Sequence, residues 1–219
     1  MLLSTAYFPP VEYFALIARG FTLSPDRVNP SLIYIEACEN FQKQSYRNRC
    51  HFYAGDGIQT LSFPIKHKNG THNNIPITEV EVDYSTPWVQ RHIKALISAY
   101  RTSAYFDYYC DGIFTIMESR PETLFELNTS LLKFLLKSVG IAADIRLTDD
   151  FEQSGSCRYG GDYREIIHPK RQNSILEELN LKKPYFQVFS GKYGFIPNLS
   201  VIDLLFNEGP DSIMYLKTL

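Results

Sequence analysis

The first twenty residues restrict the fold more than any other stretch. An apolar run, LLSTAYF, meets two consecutive prolines, Pro9 and Pro10, and gives way to VEYFALIARG, which ends on Gly20. The run suits a buried strand, the prolines force a turn, and the second run is a short helix stopped by a glycine. A strand that enters a loop and then a helix opens an α/β arrangement.

The next segments extend this order. SLIYIEA packs Ile33, Tyr34 and Ile35 together without a helical stripe and reads as a second buried strand. CHFYAGDGIQTLSFPIK, residues 50–66, reads as a hairpin turning at Asp-Gly, and ITEVEVDY alternates as a half-exposed strand should. Two helices are expected in the middle. In STPWVQRHIKALISAYRTS, Thr86 can cap, Pro87 can take the first helical position, and Val89, Ile93, Leu96, Ile97 and Tyr100 form a stripe. RPETLFELNTSLLKFLLKSVG starts at Pro121, ends at Gly140 and carries a stripe of Leu124, Leu127, Leu131 and Leu135.

ADIRL reads as a short strand, residues 148–169 as a long mobile loop, and PYFQVFSGKYGFIP as a strand pair before two short helices split at EGPD. The expected fold is a single α/β domain over residues 1–219, with a partly parallel, Rossmann-like sheet flanked by helices. Its opening strand is central and its hairpin lies at an edge. The alternative is an α+β fold around a mainly antiparallel sheet.

A chain of 219 residues, 44% hydrophobic, buries a full core without metal or disulfide staples. Lys plus Arg total 22 against 24 Asp plus Glu, a balance with no general attraction to nucleic acid or anionic membrane, so any anion site is local. Cysteines 38, 50, 110 and 157 have no CxxC spacing and no leader precedes them, which points to reduced thiols in the cytoplasm. The longest apolar runs fall short of the roughly 20 residues that cross a bilayer, so no membrane insertion is expected.

The pattern as a whole resembles the WbqC-like family of bacterial proteins, many of which belong to surface polysaccharide pathways. The family's opening Tyr-Phe-x-Pro loop and following Tyr-Phe and Leu-Ile helix are matched by Tyr7, Phe8, Pro10, Tyr13, Phe14, Leu16 and Ile17. Its basic run is matched by Phe41, Lys43, Tyr46, Arg47, Asn48 and Arg49. Its closing motif is matched by Gln187 and by Phe195 to Pro197 with Leu199 to Asp203. The chain departs from many relatives in carrying Glu12 where they have Gly, and Glu36 and Glu39 near the place of an Asp-Asp pair. It also carries an extra GFTLSPDRVNP segment and is shorter between Asp150 and Leu181. The resemblance implies an enzyme of bacterial polysaccharide or nucleotide-sugar metabolism, a group transferase on a phosphate- or carboxylate-bearing substrate. The alternative is a non-catalytic binding or accessory protein for a sugar nucleotide or a partner enzyme.

FQKQSYRNRC, residues 41–50, offers the binding chemistry. Lys43, Arg47 and Arg49 have the forks and point charge that hold a small anionic ligand such as a nucleotide sugar, with Tyr46 and Asn48 beside them. The other reading is a solvated strand edge. As a clamp they would share one concave surface with Tyr7 and Tyr13 of the opening loop, Gln187, and the turn bearing Asn198 and Ser200. The loop between first strand and helix is where α/β folds bring ligands to helix N-termini. It is faintly similar to nucleotidyltransferases with a His-x-Gly-His loop, although neither histidine is present. Core packing by its aromatics is equally open.

Glu36 and Glu39 are the candidate catalytic carboxylates, the alternative being a solvated strand end. Cys38 is a possible nucleophile beside His51 or His67, or inert filler. Asn128 falls on an apolar stripe as a structural clamp or a ligand contact, and Ser200 with Asp203 has capping-box spacing. His67 and His72 sit in a polar turn without metal-ligand spacing, so no metal site is expected and no cofactor is named.

Overall fold

The computed structural model describes residues 1–20, 31–66, 75–153 and 159–217. The opening unit is β1 (Leu2–Leu3), α1 (Val11–Gly20) and β2 (Ser31–Ile35), with β1 and β2 paired in parallel. Every residue of α1 from Val11 to Arg19 is buried, so the helix runs through the core. This explains why VEYFALIA is apolar almost all round.

A hairpin of β3 (Arg49–Ala54) and β4 (Gly57–Ser62) follows as expected, but it closes at Ala54 and Gly57 around Gly55-Asp56, one residue before the expected Asp-Gly turn, and Gly57 at φ 106° takes the position after it. It forms its own two-stranded antiparallel sheet and is not an edge of the parallel one. ITEVEVDY does not become a strand. Ile77–Glu79 is a 3-10 turn, and the segment meets its neighbours only through single bridges, Ile65 with Val82 and Glu81 with Thr123. Alternation marks burial of one side of a segment, and here the 3-10 turn packs on the helix over Leu124–Val139, which offers no strand ladder.

The helical middle holds α2 (Trp88–Tyr100), α3 (Phe106–Glu118) and α4 (Leu124–Val139). At α2, Pro87 is the cap residue in place of Thr86, and the Thr86 carbonyl accepts from the Trp88 N–H at 2.8 Å. The α2 stripe is rotated from the expected one: Trp88, His92 and Ala99 are buried beside Val89, Leu96 and Tyr100, while Ile97 is exposed. Helix α4 starts three residues after the expected Pro121. Thr123 Oγ1 accepts from the Glu126 N–H at 3.1 Å, Glu126 Oε2 accepts from the Thr123 N–H at 3.2 Å, and this box sets the first turn. Gly140 ends α4 at φ 81°, a left-handed cap. Helix α3 was not anticipated. Its buried Phe106, Cys110, Ile113 and Met117 form a helical stripe disguised by aromatics of modest helix propensity.

β5 (Ala143–Leu147) pairs in parallel with β2, giving the order β1-β2-β5, so the second strand and not the opening one is central. Beyond β1 lies part of the 148–169 segment: the Leu2 N–H donates to Gly161 O and the Tyr163 N–H to Leu2 O, at 2.8 and 3.0 Å. The rest comprises α5 (Ile175–Glu178), α6 (Ser190–Tyr193), α7 (Val201–Glu208), a 3-10 turn at Gly209–Asp211, and α8 (Ser212–Lys217). The strand pair expected in PYFQVFSGKYGFIP is replaced by loops and α6. Gln187 explains the difference. Its Oε1 accepts from the Ile196 N–H and its Nε2 donates to Ile196 O, both at 2.9 Å, so one side-chain amide does the work of a ladder partner.

A single hydrophobic cluster takes in residues from Leu3 to Leu216, drawing on α1, the hairpin and helices α2, α3, α4, α7 and α8. Among the described residues, no helix is long and apolar enough to cross a membrane.

Candidate functional site

Three segments remote in sequence meet at the start of α1. The Tyr7 N–H donates to Tyr46 O, the Ser200 N–H to His51 O and the Val201 N–H to Pro9 O, each at 2.8 Å. The Val11 N–H donates to Leu199 O at 2.9 Å, and the Glu12 N–H to Asn198 Oδ1 at 3.0 Å. The opening loop, the 46–51 segment and the 198–201 turn therefore form one backbone junction. Phe8 sits there fully buried at φ 45°, a conformation bulky side chains rarely adopt and which surrounding bonds must hold. The junction also consumes the helix ends expected to receive an anion. Asn198 and Leu199 take the first donors of α1, Pro9 takes one of α7, and buried Ser200 Oγ accepts from the Ile202 N–H at 3.4 Å. The Ser200 cap is thus present, but Asp203 does not complete a box. Its carboxylate faces inward to Tyr100, Tyr185 and Gln187.

The three clamp cations do not share one surface. Arg47 is buried, donating from Nε to Glu39 Oε1 at 2.9 Å, from Nη1 to Gln42 Oε1 at 2.8 Å and from Nη2 to Ser4 Oγ at 2.8 Å, with a second bond to Glu39. Its guanidinium is committed within the protein. Asn128 supports the same turn by donating from Nδ2 to Arg47 O at 2.8 Å, the structural clamp among its two expected roles.

Glu36 and Glu39 are buried rather than solvated, and each faces a guanidinium. Glu36 accepts from Arg164 Nη1 and Thr148 Oγ1, both at 2.6 Å. Burial raises the Glu39 pKa against the opposing pull of Arg47. Each buried carboxylate is thus paired with a guanidinium, which offsets the cost of burying its charge. Tyr13 donates to Ser4 O at 3.1 Å, Tyr7 is fully buried with its hydroxyl 2.9 Å from His92 Nδ1, and Gln187 is fully buried in the Asp203 network. Cys38 is exposed, its Sγ 3.6 Å from Thr148 O. His67 and His72 lie outside the described residues. Among the described residues no group of three or more His, Cys, Asp or Glu is arranged to hold a metal ion.

Lys43, Asn48 and Arg49 line a cleft of about 940 Å³ between the hairpin and α2, together with Arg91 and Trp88. None of the three cations has an ion-pair partner among the described residues. Three buried polar atoms on this wall, Arg49 Nε, Asn48 Oδ1 and Trp88 Nε1, form no hydrogen bond within the protein. Buried polar atoms are nearly always paired, so two donors and an acceptor without partners among the described residues, each itself shielded from solvent, single out this wall of the cleft. Phe52, Leu61 and Phe63 supply an apolar wall. His92 also lines it, but burial lowers its pKa to about 4 and its ring is held between Tyr7 and the Ser62 backbone. Tyr46 and Asn198 line a different cleft, with Glu12 and His51.

A sequence model of the WbqC-like protein family matches residues 5–168. The chain belongs to this family. The matched span includes the opening loop, the basic segment and every residue of the larger cleft, and it ends before the closing motif at Gln187 to Asp203. A relative in Mycobacterium tuberculosis, the uncharacterized protein Rv1507c, is 25% identical over 235 residues, covering 99% of this chain and 96% of its own. No solved structure matches the chain.

Arg91, Trp88 and His92 escaped sequence reasoning as site residues. Trp88 and His92 sit four apart on α2 and, like Arg91, fall outside the expected stripe of Val89, Ile93, Leu96, Ile97 and Tyr100. The overlooked signal was a basic residue directly beside a buried tryptophan, opposite a basic strand.

Proposed function

We propose that this WbqC-like protein binds a small phosphate- or carboxylate-bearing ligand, such as a nucleotide sugar, in the larger cleft. As a group transferase of bacterial polysaccharide or nucleotide-sugar metabolism, it would act on that ligand in the cytoplasm. The observation that carries the reading is the set of cations Lys43, Arg49 and Arg91, without ion-pair partners among the described residues, lining one cleft beside the buried, unpartnered polar atoms of Arg49, Asn48 and Trp88. The cations take the anionic group. Trp88 Nε1 and Asn48 Oδ1 are shielded in this structure and would meet a ligand oxygen or hydroxyl only once a shift of the wall uncovers them. The aromatic wall of Phe52, Phe63 and Trp88 suits a planar base or the C–H face of a sugar. Arg47, Glu36 and Glu39 act one step back, fixing the loop that carries Asn48 and Arg49.

A non-catalytic binding role has one specific observation in its favour. No acidic side chain is among the described residues lining this cleft, and His92 is already engaged on both sides. Single-turnover assays with nucleotide sugars distinguish the two readings: release of nucleotide or transfer of sugar supports the transferase, and tight binding without turnover supports the binder.

The test of the site is calorimetry and thermal shift with nucleotides, nucleotide sugars and inorganic phosphate, on wild type and Arg49→Met. A charge-assisted hydrogen bond contributes about 1.5–3 kcal/mol, so the variant should bind at least tenfold more weakly. If no anion shifts the wild type, or if both proteins shift equally, the assignment fails.

A further inference from the structure

The two edges of the parallel sheet are treated differently. Beyond β1 the chain lays residues 161–163 alongside: Leu2 bridges Asp162 in parallel, and the backbone bonds of Leu2 with Gly161 and Tyr163 hold the segment there. At the other edge β5 is the last strand of the order β1-β2-β5. The Thr148 N–H, just past the end of β5, donates to Ile35 O, and the register pairs Ile35 with Leu147. Backbone groups alternate sides along a strand, so the N–H and C=O of Asp144 and Arg146 face β2, while those of Ala143, Ile145 and Leu147 face outward. Among the described residues no hydrogen bond reaches these outward groups, and Leu147 is 47% exposed.

An edge strand with an open backbone pairs readily with another strand, and proteins guard such edges with proline, a bulge or repelling charges. The sequence ADIRL has no proline, and its ladder with β2 runs unbroken from Ser31 with Ala143 to Ile35 with Leu147. Its two charges are opposite in sign and lie on one face, joined by an ion pair from Arg146 Nη2 to Asp144 Oδ2 at 2.9 Å. No net charge is left to repel a copy. In an antiparallel pairing centred on Ile145, Ile145 meets its own counterpart, Ala143 meets Leu147, and Asp144 stands directly opposite Arg146. The strand is its own complement: every outward backbone group finds a partner, and each acid faces a base. Parallel pairing in register would instead set acid against acid. Residues facing each other at the Asp144 position have Cα atoms about 4.5 Å apart, against roughly 6.8 Å between i and i+2 on one strand, so cross-strand ion pairs take over from the internal ones.

We propose that β5 docks antiparallel against β5 of a second copy of this chain, joining the two three-stranded sheets into one about a two-fold axis. Each Asp144 then holds the partner's Arg146, and each Arg146 the partner's Asp144. Five residues a side make a short contact beside the roughly 1,200–2,000 Å² of a stable interface, so the dimer exchanges with monomer and dissociates on dilution. The surface shares no residue with the anion cleft and stands or falls without it.

Sedimentation velocity from micromolar to several hundred micromolar tests this on wild type, Asp144→Arg, Arg146→Asp, the double variant with both exchanges, and Leu147→Pro. Wild type should pass from monomer to dimer over that range. Each single reversal sets like charges directly opposite one another and should weaken association by at least about tenfold. The double variant, or an equal mixture of the two single variants, restores opposite charges and should associate within about threefold of wild type. Leu147→Pro removes an N–H that faces outward, so it should keep the fold and lose the dimer. The Asp144 and Arg146 side chains are 41% and 58% exposed, so the charge variants should melt as wild type does. The proposal is overturned if wild type stays monomeric, which leaves the edge to a strand of some other protein. It is equally overturned if a single reversal associates as tightly as wild type, or if the double variant folds but remains a monomer.

Discussion

Trp88 and Phe63 stack with ring centroids 5.1 Å apart and planes 27° from parallel, pinning α2 to the chain just past the hairpin and leaving the buried indole N–H without a hydrogen-bond partner among the described residues. Tyr84 extends the stack from the other side at 5.6 Å. Trp88 is thus both a wall of the cleft and the fastener between the two elements that form it.

Trp88→Ala should cost about 3–5 kcal/mol, because it removes a buried aromatic and leaves a cavity between packed rings. Urea unfolding reads this directly. A loss below roughly 1 kcal/mol would mean that the hairpin and α2 are held by other contacts.

Arg47→Ala should act on stability. The substitution strands Glu39 inside the protein, and breaking such a pair costs about 3–5 kcal/mol. Arg47→Met combined with Glu39→Gln should recover much of the loss, because no charge is then left buried alone. A double-mutant cycle by chemical denaturation measures the coupling. An Arg47→Ala protein of unchanged stability that has lost anion affinity would restore Arg47 to the ligand clamp.

Asp203 makes the fold pH-sensitive. Burial pushes its pKa from the ordinary 3.8 up to about 6, although Tyr100, Tyr185 and Gln187 all donate to it. The native state therefore holds this proton more tightly than the unfolded chain does. The associated stability is fully present below about pH 4 and is lost as pH rises to about 6, by roughly 3 kcal/mol at most. Asp203→Asn should flatten the stability profile in that window relative to wild type. Parallel profiles for the two proteins would show that Asp203 ionises normally.

Gln187→Ala should be disproportionately damaging for a loop substitution. It leaves the Ile196 N–H without its partner and removes a donor from Asp203. Unsatisfied buried groups cost about 1–3 kcal/mol each. Hydrogen exchange at the Ile196 amide reports it locally, and protection equal to wild type would mean that the loop finds another partner.

Local chemistry accounts for what was legible in the sequence. The Asp56-Gly57 pair announced the hairpin, though its turn closes one residue earlier, and the leucine stripe closing on Gly140 announced α4. Ile33 to Ile35 read as a buried strand because nothing polar interrupts them, and the parallel pairing with β1 followed from the helix between. Where the outcome depended on a distant partner, the same rules misled. Gln187 is an ordinary polar residue until Ile196 is beside it. Arg47 and Arg49 alternate along one segment as a pair of forks should, yet Glu39 draws one inward and leaves the other in a cleft. Glu12 stood out only as a departure from family relatives, since its meaning depends on His51, Asn173 and Asn198.

The contact between Glu12 and Asn198 joins residues 186 apart in the chain, and Arg19 Nε reaches Leu216 O across 197. During synthesis the first helix therefore emerges long before its cap exists, and it waits for nearly the whole polypeptide to leave the ribosome. Contacts of such span slow folding, because loop closure costs entropy before any bond compensates it. A nascent chain lacking its last twenty or so residues would expose VEYFALIA to solvent and to chaperones. The backbone junction of Ser200 with His51 and of Val201 with Pro9 would then stay unmade until those residues emerge.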